Sequence, residues 1–211
     1  MTVPAIQNIY VYKMTTDNGG APCVHRGLLS LSICKPMIRR CASVGDLVFG
    51  FGGRALRERL IYAAVITGKL VDGSYYWNRQ FSRRPDRIYE RAHDGRAMRR
   101  PDARFHTTSD ELEHDVGLGF ERAQVLLSMD FRYFGKNGTT EYARAHADVA
   151  ALIRGLGRGH RVGFSPGVRT ELLALKDELW NRFTEMKNGV PTQQDRSRRC
   201  NTESSQAVIP A

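Results

Sequence analysis

Five short runs of β-branched and aromatic residues occupy positions 6–14, 28–34, 47–51, 59–69 and 124–134, and most are closed by glycine or a polar turn. No other sequence feature restricts the fold as much, because runs of this length and composition suit strands. The first, IQNIYVYKM, leads into TTDNGGAP, where Asn18-Gly19-Gly20 tolerates positive φ. The second, LLSLSIC, alternates apolar and small polar residues. Between the second and third, KPMIRRCA reads as a short helix or turn with Pro36 near its first position. Val44-Gly45-Asp46 is a tight turn feeding the third run, and QVLLSMDFRYF ends in an aromatic turn at Phe134-Gly135.

Helical spacing replaces this pattern after residue 140. Positions 140–156 and 168–186 both repeat apolar residues at helical intervals, and Leu172, Leu173, Leu175, Leu179, Trp180 and Phe183 share one face of the second. Ser165-Pro166 or Gly167 starts that helix. Residues 188–211 are polar and read as a disordered tail. The reading is therefore one α+β domain over 1–187, with a β-rich core at 6–135 and a helical part at 140–187. Whether the Trp180 and Phe183 face packs on that core or on a second subunit is left open, as is the oligomeric state.

Charge is distributed unevenly. The chain has 32 Lys and Arg against 22 Asp and Glu, a net charge of +10. Residues 35–104 alone hold 16 Lys and Arg against 7 Asp and Glu. Aromatics are interleaved there: Phe49, Phe51, Tyr62, Tyr75, Tyr76, Trp77, Phe81 and Tyr89. Basic groups engage phosphates and aromatic faces stack on bases, which makes DNA or a nucleotide the expected partner, with RNA a further possibility. The plainer reading is a core of aromatics under a solvated basic face. Tyr75-Tyr76-Trp77 resists it in part, since three adjacent aromatics cannot all point inward. No apolar run approaches the ~18 residues of a membrane helix, the first residues lack signal-peptide features, and Cys23, Cys34, Cys41 and Cys200 form no CxxC pair. These features suggest a cytoplasmic protein with reduced thiols and no membrane contact.

The sequence carries no P-loop, no GxGxxG after a strand, no GxSxG elbow and no zinc-deaminase signature. His106 and His114 flank Asp110, Glu111 and Glu113 without standard metal spacing, so Asp110–Asp115 reads as a solvated helix start capped by Ser109. No metal and no cofactor are expected. Cys23 with His25 is either a nucleophile pair or a buried thiol with a bystander. GRGHR at 157–161 is a phosphate contact or an ordinary basic loop. Within SMDFRYFG, Asp130 and Arg132 either pair with each other or face a pocket, because burying either alone costs several kcal/mol. Arg84, Asp86 and Arg87 in RRPDRIY form a salt-bridged turn or a ligand clamp.

Taken in order, IYVYKMTTDNGGAPCV, LSLSICKPMIRRCASVGDLVFGFGG, RLIYAAVITGK, RPDRIY and LLSMDFRYFG resemble the nucleotide modification associated domain, type two, over about residues 9–161. That resemblance implies a place in phage or bacterial systems that make or handle modified DNA bases. The short helix, Gly45-Asp46, the strand from Leu47 to Phe51 and the run after Leu60 are also similar to PUA-like and EVE-like domains. This likeness implies a curved mixed β-sheet or small PUA-like barrel with flanking helices, and a cleft near Lys13, Asp17, Asn18, Lys35, Phe49, Phe51 and Tyr76. The sequence departs from that pattern in lacking a clear aromatic cage.

Three functions follow. One is a nucleic-acid or nucleotide binding module, with Lys13, Asp17, Asn18, Lys35, Arg39, Phe49, Phe51, Tyr76, Arg84, Arg87, Asp130 and Arg132 as candidate contacts. Another is an enzyme acting on a nucleotide or modified base, which requires Lys13, Asp17, Lys35, Arg84, Asp130 and Arg132 to converge. The third is a regulator whose basic face meets an acidic protein, which predicts a flat apolar patch in place of a cleft. No residue is assigned a catalytic role.

Overall fold

The computed structural model describes residues 6–157 and 159–193. Its strands are β1 (Ile9–Met14), β2 (Cys23–His25), β3 (Leu28–Leu31), β4 (Leu47–Gly52), β5 (Leu60–Val65), β6 (Gly68–Leu70), β7 (Tyr89–Arg91), β8 (Ala97–Arg99), β9 (Val125–Ser128), β10 (Asp130–Tyr133) and β11 (His160–Arg161). The helices are α1 (Pro36–Cys41), α2 (Ser74–Trp77), α3 (Ser109–Val116), α4 (Tyr142–Ala145), α5 (Ala147–Gly155) and α6 (Pro166–Arg182). All five apolar runs contain strands, and the fold is α+β.

The strands form a five-stranded sheet ordered β10-β5-β4-β1-β11 and a four-stranded sheet ordered β2-β3-β9-β6. One antiparallel register passes through both, with Val65 opposite Asp130 and Gly68 opposite Leu127. The two sheets are thus halves of one bent surface, joined through residues 66–67 and Met129. Ser128 stabilises the bend: its hydroxyl donates to the Val65 carbonyl at 2.6 Å and accepts the Asp130 amide at 3.1 Å. The pairing of β1 with β4 is parallel, and the rest are antiparallel. The sheet is open and mixed.

Three apolar clusters follow from the alternation of side chains along these strands. Tyr10, Tyr12 and Met14 of β1 meet Leu29 and Leu31 of β3, Leu126 of β9 and Ile38 of α1. Because β1 and β3 lie far apart in the strand order yet share this cluster, the sheet curls around it. Gly50 lines the same interior: a Cβ there would come within 2.2 Å of the Tyr62 ring. On the opposite face, Ile9, Val11, Phe49, Phe51 and Ala63 pack against Val149 and Ile153 of α5 and Leu172, Leu175 and Leu179 of α6. This settles the docking of the last helix, which lies on the sheet of its own chain. Ser165 caps α6 and Pro166 opens it. The third cluster joins Tyr75, Tyr76, Phe81, Ile88 and Tyr89 to Val116, Phe120 and Val125.

Several boundaries differ from the sequence reading. Residues 140–156 form two helices, because His146 leaves helical geometry at φ −124°, ψ 76°. The capping residue of α3 is Thr108, not Ser109, in a reciprocal capping box with Glu111. Asp115, assigned to a solvated helix, is fully buried. The expected disordered tail begins at residue 188, yet residues 188–193 lie against the core. The Asn188 amide donates to Tyr133 O at 2.7 Å and the Lys136 amide to Val190 O at 2.9 Å. A Cβ on Gly135, which has φ 53°, would sit 2.0 Å from Val190 O. The rest of that tail, Cys200 included, falls outside the described residues, as does Arg158 of the GRGHR loop.

Candidate nucleic-acid interface and the Cys34 cluster

β7 and β8 form a separate two-stranded hairpin within the basic 35–104 stretch. Arg91 and Arg96 are exposed on it, and Arg79, Arg83 and Arg104 are exposed on the segments before and after. Of the three adjacent aromatics, Tyr75 and Tyr76 are buried and Trp77 is 46% exposed, the outcome their adjacency required. Trp77 rests edge-on against Phe120, with centroids 5.3 Å apart, and the Arg91 guanidinium lies 5.8 Å from its ring. Asp94 and Asp102 neutralise part of the charge, pairing with Arg96 at 3.6 Å and Arg100 at 3.0 Å. An exposed indole among arginines is a surface on which a base can stack while its phosphates are neutralised.

Beneath the hairpin lies a polar network that no local sequence pattern marks. β3 runs into α1 through Cys34 and Lys35, both left-handed at φ 57° and 45°. Cys34 Sγ is 3.1 Å from His106 Nε2. The other ring nitrogen, Nδ1, bonds the Asp115 carboxylate of α3. Asp115 also accepts the Cys34 amide at 2.8 Å and the Tyr89 hydroxyl of β7 at 2.8 Å. Arg39 of α1 is fully buried, donates to the carbonyls of Cys34, Gln124 and Asp115 at 2.7, 2.8 and 2.9 Å, and lies 3.5 Å from the Asp115 carboxylate. Burial pushes the Asp115 pKa up, but His106, Arg39 and Tyr89 outweigh it, and the carboxyl stays below its ordinary value. Burial, then the Asp115 charge, drive the Tyr89 hydroxyl far up. Cys34 and His106 are 72 residues apart, so no local spacing motif reveals the pair.

The residues chosen from sequence do not converge. Phe49 and Phe51 are corrected from cleft to core: both are fully buried under the C-terminal helices, stacked on each other at 5.9 Å. Tyr76 is also core, its hydroxyl donating to Ser32 O at 2.9 Å. Arg84 and Asp86 form the salt-bridged turn rather than the clamp. Their charges meet at 3.3 Å, with Arg84 donating to Tyr75, Cys23 O and Ser30 and Asp86 accepting from Ser32 and Tyr75. Arg87 is half-buried and its Nε donates to Tyr76 O at 2.7 Å. Asp130 and Arg132 do not pair with each other; each has a partner in the C-terminal helical part. Trp180 Nε1 donates to Asp130 at 2.5 Å, and Arg132 lies 4.7 Å from the Trp180 ring and bonds Phe183 O.

Near the end of β1, Lys35 lies 4.8 Å over the Tyr12 ring in the curled interior, whereas Lys13, one residue on, alternates to the other face and pairs with Glu58 at 3.2 Å. Asn18 accepts the Gly20 amide at 3.0 Å. Asp17 is buried against Tyr133 and Thr192, and burial raises its pKa despite those bonds. Of Lys13, Asp17, Lys35, Arg84, Asp130 and Arg132, three are thus held by separate contacts: Arg84 by Asp86, Tyr75 and Ser30, Asp130 by Trp180, and Arg132 by Phe183 O. His25 and Cys23 sit on one short strand, and burial foremost, with the charge of Arg84, lowers the His25 pKa. No cluster of three His, Cys, Asp or Glu suited to a metal occurs among the described residues. None of their helices is long and apolar enough to cross a membrane.

The family model of nucleotide modification associated domain 2 matches residues 6–193. The chain belongs to that family. No curated protein matches this family member. Among solved structures, it is similar to the human THYN1 protein in complex with DNA containing 5-methylcytosine. That match has 9% identity and a TM-score of 0.33, covering 81% of this chain and 98% of that one. So distant a likeness carries no weight for fold or ligand.

Proposed function

We propose that this nucleotide modification associated domain 2 protein binds DNA or a nucleotide, in a bacterial or phage system that makes or handles modified bases. The surface would be the β7–β8 hairpin and its approaches, with Trp77 as stacking platform and Arg79, Arg83, Arg91, Arg96 and Arg104 as phosphate contacts. The observation that carries the reading is the exposed Trp77 beside Arg91 in the most basic stretch of the chain. Family membership supports the link to base modification. Lys35 and Asn18 remain as secondary contacts, and RNA is tested as a competitor.

The test is fluorescence anisotropy with labelled single- and double-stranded DNA across a salt series. Binding should weaken log-linearly with salt, as counterion release requires. An affinity indifferent to salt, or unchanged when Trp77 and Arg91 are replaced, overturns the proposal. Mass spectrometry of nucleosides from cells with and without the gene tests the link to base modification.

A further inference from the structure

We propose that Cys34, His106 and Asp115 form a nucleophile, base and orienting carboxylate that cleave a carboxylic ester or thioester through an acyl-cysteine. The inference goes beyond nucleic-acid binding, and no nucleic acid enters its test.

The geometry carries it. Covalent catalysis needs a nucleophile within hydrogen-bond reach of a base that a third group orients. Cys34 Sγ stands 3.1 Å from His106 Nε2, and His106 Nδ1 is held by Asp115. With Nδ1 donating to the carboxylate, Nε2 is the nitrogen turned to sulfur, so it can take the thiol proton. Asp115 is itself fixed by the Cys34 amide, the Tyr89 hydroxyl and Arg39. Cys34 is half-buried at a strand-to-helix turn, whereas Cys23 is buried. Two successive non-glycine residues at positive φ set that turn, a strained geometry typical of functional positions. A structural thiol needs none of this.

In the first half-reaction His106 Nε2 removes the Cys34 proton and Sγ attacks the acyl carbon. The C–S bond forms, the bond from the acyl carbon to the alcohol or thiol breaks, and His106 returns the proton to the leaving oxygen or sulfur. In the second, water attacks the acyl-cysteine and gives a proton to His106. The C–S bond then breaks, the carboxylic acid leaves and Sγ regains the proton. The sum is ester plus water giving acid plus alcohol, with no oxidant, metal or cofactor. Asp115 is a positioning residue throughout.

The charged and titratable groups around the pair include Asp115 from α3, Tyr89 from β7 and Arg39 from α1, with Tyr76 of α2 near Arg39 and Asp115. The first measurement is iodoacetamide alkylation of the full chain against pH, read by peptide mass spectrometry, with exposed Cys41 as internal standard. Cys34 should react about tenfold or more faster than Cys41 at about pH 6, as His-paired thiolates do. His106→Gln should remove that advantage, and Asp115→Asn should shift its pH profile. The second measurement uses p-nitrophenyl acetate: an acetyl group should form on Cys34 and turn over, and Cys34→Ser should abolish it. Wild-type protein in which Cys34 reacts no faster than Cys41 at that pH, or in which no acetyl forms on Cys34, overturns the proposal without recourse to any variant.

Discussion

Thr192 holds Asp17 from 175 residues away, donating to one carboxylate oxygen from its amide at 2.8 Å and from its hydroxyl at 2.9 Å. Tyr133 donates to the other oxygen at 2.8 Å. Burial raises the Asp17 pKa above its ordinary 3.8, and the Thr192 bonds pull it back. A raised folded-state pKa means that the stability associated with Asp17 is greatest below 3.8 and lost as pH rises through the folded value. Thr192→Val removes one of the two Thr192 donors to the ionised form. It should cost about 1.5–3 kcal/mol near neutrality and less where Asp17 is protonated. Urea unfolding at several pH values checks this, and a cost independent of pH contradicts it.

The Arg84–Asp86 turn is a buried ion pair whose remaining polar atoms are bonded to Ser30, Ser32, Tyr75 and the Cys23 carbonyl. Removing one charge strands the other. Arg84→Met should lose about 3–5 kcal/mol, read as a lower urea midpoint. If the residue acted mainly on ligand, stability would be spared and binding lost.

Asp115 has the opposite sign to Asp17. Its folded-state pKa lies below the ordinary 3.8, so it contributes stability above that value and loses it as pH falls through the folded one. Asp115→Asn should lower stability near neutrality and flatten the acid limb of the stability curve. Acid unfolding followed by circular dichroism compares the two proteins; coincident curves would show that Asp115 is not the group responsible.

The strands were legible because their side-chain period is local, and so was the helix opened by Pro36. Family membership was legible from motifs in order. The roles of single residues were not. Phe49 and Phe51 look like base platforms until α5 and α6 cover them, and nothing near them in the sequence indicates that cover. Asp130 and Arg132 stand out in the sequence as polar groups that need partners. Their partners, Trp180 and Phe183, lie about fifty residues on, which a local pattern cannot supply. The Cys34–His106 contact fails to show for the same reason.

Asp130 and Arg132 provide a direct test of that correction. Trp180 receives both, one through its indole N–H and one over its ring. A double-mutant cycle with Asp130→Asn and Trp180→Phe should give a coupling of about 1–2 kcal/mol in unfolding free energy, and Arg132→Ala should destabilise through lost packing and a lost bond to Phe183. DNA affinity should not change in any of these proteins once folded. A binding defect without a stability defect would return these residues to the site.

The hairpin variants separate charge from stacking. Replacing Arg91 and Arg96 with Gln removes two exposed cations, one of them partly neutralised by Asp94. If both touch phosphates, the slope of log affinity against log salt should fall by up to about 1.8 on duplex DNA, with affinity lost at low salt and little difference at high salt. Trp77→Ala should leave that slope almost unchanged. It should instead cost about 1–3 kcal/mol on single strands, where an unpaired base can stack, and much less on duplex, where none is free. Trp77 is 46% exposed, so its loss removes little core and the protein should stay folded. The two variants therefore fail differently, and anisotropy on both DNA forms at three or more salt concentrations resolves them. Equal losses on single and double strands would assign Trp77 a packing role against Phe120 and Arg91.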